Sequence, residues 1–221
     1  MAPNFAERDG SVANTTIVYV IDDDESMRAS LDTLFRSVGL RVETFASPQA
    51  FLEFKKSKVP SCLILDVRLR SESGLSFQQE MITHGLHMPI LFMTGYGDME
   101  MCVKAMKAGA LDFFSKPFRD QDMLDAVSQA LARDRQRLAA EESIASLRAA
   151  YASLSGREQQ VMALVTAGLM NKQIAAEMLL SEITVKVYRG QLMKKMKARS
   201  VADLVRKAEA LRIESNQEKA L

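Results

Sequence analysis

Four short apolar runs in this 221-residue chain lead into residues suited to phosphoryl chemistry. TIVYVI (16 to 21) runs into Asp22, Asp23 and Asp24, and CLIL into Asp66; PILFM (89 to 93) ends against Thr94, and LDFF (111 to 114) is followed, after Ser115, by Lys116. Carboxylates gathered within a few ångströms repel strongly at low dielectric, so they need a divalent cation or must take up protons. Hard oxygen donors that leave room for water suit Mg2+. A lysine and a threonine hydroxyl aimed at the same point would then bind oxygens of a phosphoryl group. The set reads as an aspartyl-phosphate site.

A parallel sheet is what would bring these residues together. With RVETF (41 to 45) the apolar runs number five, and helix-length amphipathic segments such as Met27, Leu31, Leu34, Phe35 and Val38 lie between them. Five strands alternating with five helices predict an α/β, doubly wound parallel sheet with helices on both faces. In such sheets ligands bind beyond the carboxyl ends of the strands, where all the residues above would sit. Punctuation agrees: Ser47-Pro48 is an N-cap followed by proline at the first helical position, and Gly39 and Gly109 close helices. Asp24, ahead of an amphipathic helix, reads better as its N-cap than as a ligand. The stripe Met99, Val103 and Met106 reads as core, as an output surface, or as both; Cys102 beside it reads as a small buried hydrophobe.

From about residue 120 a helical pattern continues through Leu124, Val127, Leu131 and Leu138 to Ile144, Leu147 and Tyr151, either as a solvated helix or as a dimerising coiled coil. From Leu154 onward everything is helical. Ser155 with Glu158 is a capping-box pattern, Gly168 closes that helix, Ser181 caps a later one, and Ser200 with Asp203 starts the last. In this all-α part Ile174, Ala175 and Met178 are expected to pack one helix and Ile183, Val185 and Leu192 the next, after a turn at Leu179 to Ser181. That leaves Thr184, Lys186, Val187, Arg189, Lys194 and Lys195 exposed. A helix of this width enters the DNA major groove, where long donors reach base edges and phosphates.

Charge separates the two parts. The chain carries 29 Lys+Arg against 28 Asp+Glu, a net +1, which taken alone argues against a nucleic-acid partner. Yet residues 1 to 130 hold 13 basic and 18 acidic side chains, and residues 155 to 221 hold 12 and 7. Neutrality is a cancellation between an acidic, cation-binding part and a basic, anion-binding one. No apolar run approaches the roughly 18 to 20 residues of a membrane span. The N-terminal MAPNFAERDGSVANTT does not read as a signal peptide, and two cysteines, Cys62 and Cys102, make no disulfide framework or zinc site. A cytoplasmic protein with no membrane partner is expected.

The motifs VYVIDDDESMR, CLILDVRL, FMTGYGD and FFSKPF together resemble the receiver domain of two-component response regulators. The resemblance implies a flavodoxin-like sheet of order 2-1-3-4-5 over residues 16–132. It implies Asp66 as phosphoacceptor from a sensor histidine kinase or a small donor, and Asp22, Asp23 and Asp66 as Mg2+ ligands with the backbone carbonyl of Arg68. Thr94 and Lys116 would bind phosphoryl oxygens, Phe113 would be the aromatic switch, and Lys116-Pro117 matches a cis position. Arg68 and Tyr96 fall where the family tunes dephosphorylation. One departure stands out: Leu69-Arg70 replaces the usual Met-Pro after the phosphoacceptor, leaving that loop less preset.

The segment LSGREQQVMALVTAGLMNKQIAAEMLLSEITVKVYRGQLMKKMKARSVADLVRKA is similar to the LuxR-type helix-turn-helix, giving a four-helix DNA-binding domain over 150–215 after a helical linker, 133–149. This resemblance implies base contacts from Lys186 and Val187, and phosphate contacts from Thr184, Lys194, Lys195, Asn171 and Lys172, with Arg189 on the same helix. Tyr188 and Gly190 depart from the common pattern. The whole resembles the FixJ/NarL class, closest to its FixJ-like subgroup: a regulator that binds promoter DNA, dimerises on phosphorylation and works with RNA polymerase. A magnesium-dependent phosphohydrolase with an Asp-x-Asp at Asp22 and Asp24 is the competing reading; it lacks the further acidic motif and the cap domain such enzymes use.

Overall fold

The computed structural model describes residues 16–70, 73–95 and 99–217. Strands β1 (Ile17–Ile21), β2 (Arg41–Phe45), β3 (Ser61–Asp66), β4 (Ile90–Thr94) and β5 (Asp112–Ser115) pair in the order β2-β1-β3-β4-β5, parallel throughout. The central strands β1, β3 and β4 are buried along their whole length, as continuous apolar runs covered on both faces must be. Alternation along them feeds two cores. Tyr19, Ile21, Leu63, Leu65 and Phe92 face one side; Val18, Val20, Ile64, Leu91 and Met93 face the other.

Helices α1 (Glu25–Ser37), α2 (Pro48–Glu53), α3 (Gly74–Thr83), α4 (Met99–Lys107) and α5 (Asp120–Ala152) cover those faces. Phe51 of α2, Phe77 and Met81 of α3 and Ala105 of α4 fill the first core; Leu31 and Phe35 of α1 and Met123 and Val127 of α5 fill the second. Asp24 accepts the Ser26 N–H at 2.8 Å and so caps α1, and Ser47 caps α2. Gly39 and Gly109 take positive φ where α1 and α4 end. The Lys116-Pro117 bond is cis. Of the two readings of the α4 stripe, Val103 and Met106 follow the surface one, both being exposed; the expectation for Cys102 changes, because it is only half-buried. The side chain of Met99 lies outside the described residues, as does Tyr96.

The chain divides into two compact units at Leu138 and Ala139, within α5. Asp134, in the stretch read as linker from sequence, is completely buried in the first unit. Its Oδ2 accepts the Ser61 N–H at 2.8 Å and its Oδ1 accepts from Arg137 Nε at 2.7 Å. A buried backbone N–H at the start of a strand needs such an acceptor.

In the second unit, α6 (Gly156–Thr166), α7 (Asn171–Met178), α8 (Glu182–Lys195) and α9 (Val201–Gln217) follow the end of α5. The capping box closes as expected: Ser155 Oγ accepts the Glu158 N–H at 3.3 Å, and Glu158 Oε2 accepts the Ser155 N–H at 2.6 Å. Val161, Val165, Ile174, Val185, Leu192 and Leu204 form the core. Leu179 ends α7 in the left-handed region at φ 55°. Ile183 does not pack as expected; it is 77% exposed, because on α8 the buried face runs through Val185 and Leu192, seven residues apart.

Candidate functional site

The carboxyl edge of the sheet gathers the acidic residues. Asp22, just past β1, is fully buried, and Asp66, the last residue of β3, is nearly so. The Lys116 N–H donates to the Thr94 carbonyl at 2.7 Å, carrying the register of β4 and β5 past the sheet edge. From there Lys116 Nζ reaches both acids, 2.7 Å from Asp22 Oδ2 and 3.0 Å from Asp66 Oδ2. Asp66 Oδ1 accepts the Arg68 N–H at 3.1 Å. Asp22, Asp23 and Asp66 each offer an oxygen, all within 4.8 Å of one another. Thr94 is buried at the end of β4, and Phe113, half-buried in β5, packs against the first core.

Burial pushes the Asp22 carboxyl above its ordinary range, while its hydrogen bond from Lys116 and its backbone bond from Asp24 pull it back. For Lys116 burial works to lower the value, but the hydrogen bonds to Asp22 and Asp66 prevail and hold the ammonium above its usual range. One half-buried lysine is thus shared by two carboxylates, with a third, Asp23, converging beside them. That excess of hard oxygen donors fits a divalent cation of the Mg2+ type.

The two ends of the loop after Asp66 are fixed at close quarters. Arg68 and Ser73 form an isolated antiparallel bridge, and the Gly74 N–H donates to the Val67 carbonyl at 2.9 Å. A Cβ on Gly74 would lie 2.4 Å from the Asp66 carbonyl oxygen, so only glycine lets α3 start here. Arg70, in the same loop, places Nε 2.8 Å from Asp23 Oδ2. Asp24 is turned into the first turn of α1 and is not part of the triad, which removes the second acid of the Asp-x-Asp reading. Sequence reasoning missed the contacts of Arg70 and the close approach at Gly74. The missing Met-Pro was the available signal for Arg70; nothing local marks Gly74.

In the second unit the residues expected to meet DNA separate into groups. Lys172, Lys186, Val187 and Lys194 are exposed, the last three along α8. Arg189 Nη1 donates to Asn171 Oδ1, tying α8 to the start of α7. Thr184 is half-buried with its hydroxyl 2.8 Å from Ser181 Oγ. Lys195 is exposed as well, but its Nζ is engaged within the domain, 2.6 Å from Glu158 Oε2 and 3.2 Å from the Ser153 carbonyl. The Lys195 ammonium, then the Ser155 backbone, hold the Glu158 carboxyl below its usual range.

Comparison with known families gives two matches, one to each unit. The response regulator receiver domain matches residues 18–128, and the LuxR family of bacterial regulatory proteins matches 152–208. The chain belongs to the two-component response regulators. Nodulation protein W of Bradyrhizobium diazoefficiens is 56% identical over 90% of this chain and 88% of its own length. FixJ of the same organism, a transcriptional regulatory protein, is 44% identical over 86% and 93%. The solved structure of the response regulator StyR shares 45% identity and a TM-score of 0.81, covering 88% of this chain and 98% of its own. This response regulator therefore joins a receiver aspartate site to a LuxR-type DNA-binding domain and regulates transcription; it is not a catalytic enzyme. The receiver implies a histidine kinase partner, and the helix-turn-helix implies DNA. Among the described residues no helix is long and apolar enough to cross a membrane.

Proposed function

We propose that Asp66 is the phosphoacceptor, and that its phosphorylation controls dimerisation and promoter binding. The observation that carries this reading is Lys116 Nζ held between Asp22 and Asp66 beside three converging carboxylates. A carboxylate oxygen of Asp66 attacks the phosphorus of the kinase phosphohistidine; the O–P bond forms as the N–P bond breaks, and the electron pair stays on the imidazole. Asp22, Asp23, Asp66 and the Arg68 carbonyl would hold Mg2+, which when bound supplies positive charge against the phosphoryl oxygens. As an acyl phosphate, Asp66 no longer offers Lys116 a full carboxylate anion, so the ammonium turns to a phosphoryl oxygen while the Thr94 hydroxyl donates to another. As Thr94 moves, Phe113 rotates inward. The receiver, working in the cytoplasm over residues 16–132, then pairs with a second copy through α4 and β5, where Val103 and Met106 are exposed.

Through the linker 133–149, two DNA-binding domains, residues 150–215, are presented to paired half-sites. Lys186 and Val187 read bases; Lys172, Lys194 and Thr184 bind phosphate; Arg189 and Asn171 brace each other against the backbone. Lys195 reaches phosphate only by sharing its ammonium with Glu158, so it contributes least. On the promoter the dimer acts on RNA polymerase. The test is acyl-phosphate labelling followed by mapping of the modified residue. Label on Asp66, lost in Asp66→Asn with the fold intact, is the expected result; label on Asp22, or retained in that variant, overturns the assignment.

A further inference from the structure

We propose that Arg70 competes with the cation for Asp23, so that this receiver fills with Mg2+ only at higher concentrations than its carboxylates alone would set. The inference rests on the Mg2+ reading of the triad. Of the three acids, Asp22 and Asp66 share Lys116, whose side chain is 17% exposed and held by hydrogen bonds to both. Asp23 has a different partner. Its Oδ2 lies 2.8 Å from Arg70 Nε, and the Arg70 side chain is 86% exposed. The loop that carries Arg70 is pinned before it by the Asp66 Oδ1 bond to the Arg68 N–H and after it by the Gly74 bond to Val67, so its stem starts beside the triad.

Two effects of the guanidinium act in the same direction. It satisfies a carboxylate that an incoming cation must share, and it places a permanent positive charge next to the position that cation takes. An arginine stays charged at any working pH, so competition is set by ionic strength and not by protonation. An exposed ion pair is weak, and on that scale the competition costs at most about fivefold in affinity. Screening over about 10 Å at 0.1 M salt reduces it further. Lys116 exerts the same repulsion but is built into the site, 17% exposed; the Arg70 side chain is 86% exposed and can swing away into solvent without disturbing the fold.

The experiment is a titration of the full chain with MgCl2 at low and high KCl, followed by the NMR amide shifts of Asp22, Asp23 and Asp66. Wild type, Arg70→Gln and Arg70→Lys are compared. Arg70→Gln is expected to bind Mg2+ up to about fivefold more tightly at low salt, with the advantage shrinking as KCl rises. Arg70→Lys, which keeps the charge, is expected to stay near wild type. An Arg70→Gln chain that binds no tighter, or an Arg70→Lys chain that tightens equally, overturns the competition. Saturable binding in none of the three overturns the triad reading itself.

Discussion

Lys116 and Lys195 each hold a buried carboxylate, and the two pairs serve opposite ends. Lys116 stands between Asp22 and Asp66 at the open edge of a sheet, where further carboxylate oxygens converge. Lys195, at the surface, closes on the buried Glu158, which already caps α6, so its charge is engaged by the domain's own carboxylate. The receiver concentrates its chemistry in a few buried groups at strand ends, each fixed by a backbone that the sheet defines. The DNA-binding unit spreads its chemistry along exposed positions of α8 and keeps its buried charge for stability. Removing one group from the first region should therefore cost far more function than removing one from the second.

The sharpest break of that contrast is Lys116→Met. Losing one preset charge partner for the transferring phosphoryl group should slow acyl-phosphate labelling by roughly 100-fold or more; a rate within tenfold of wild type would remove the asymmetry. Next comes Asp134→Ala, which leaves the Ser61 N–H buried without an acceptor and should cost about 1–3 kcal/mol, read from urea unfolding of the full chain. A loss no larger than that of an exposed substitution such as Lys172→Ala would show that the buried carboxylate is dispensable.

Acid probes the second region more gently. Glu158, through Lys195 and the Ser155 N–H, and Asp203, through the Arg199 N–H and Lys207, are both held below the ordinary carboxylate range in the fold. A lowered carboxylate contributes stability that is present above its unfolded value, near about 4, and is lost as pH falls through the lower folded one. The protection factors of α6 and α9 amides, corrected for the pH dependence of intrinsic exchange, should fall below about pH 4, and Lys195→Met should flatten that dependence for α6. Exchange in α6 that responds to acid equally with and without Lys195 would assign the effect elsewhere. Smallest is Lys194→Ala, expected to lower the log–log salt slope of DNA binding by about 1 while shifting all sequences alike. An unchanged slope would take Lys194 off the phosphate backbone.

Much of the receiver could be read before any coordinates because its constraints are local. Apolar runs buried on both faces mark β1, β3 and β4, and the acids follow directly at their ends, so Asp22, Asp66, Thr94 and Lys116 were legible together. Caps at Asp24, Ser47, Ser155 and Ser181 were legible for the same reason: donor and acceptor lie within three residues. Contacts across long separations were not. Asp134 meets Ser61 across 73 residues, and Lys195 meets Glu158 across 37. Ile183 misled because α8 carries apolar residues on more than one face, and period alone does not say which face is covered.

Gly74 has a consequence for how this chain tolerates change. Two steps from the usual pattern after Asp66 are accommodated differently: Leu69 packs, partly buried, against the first core, and Arg70 reaches out, exposed, to Asp23. The glycine contributes no functional group, yet the space a methyl would need is filled by the carbonyl of the phosphoacceptor residue itself. Under random mutagenesis this position should behave like a catalytic one, silent to any chemical probe and intolerant of every replacement, while the neighbouring loop drifts.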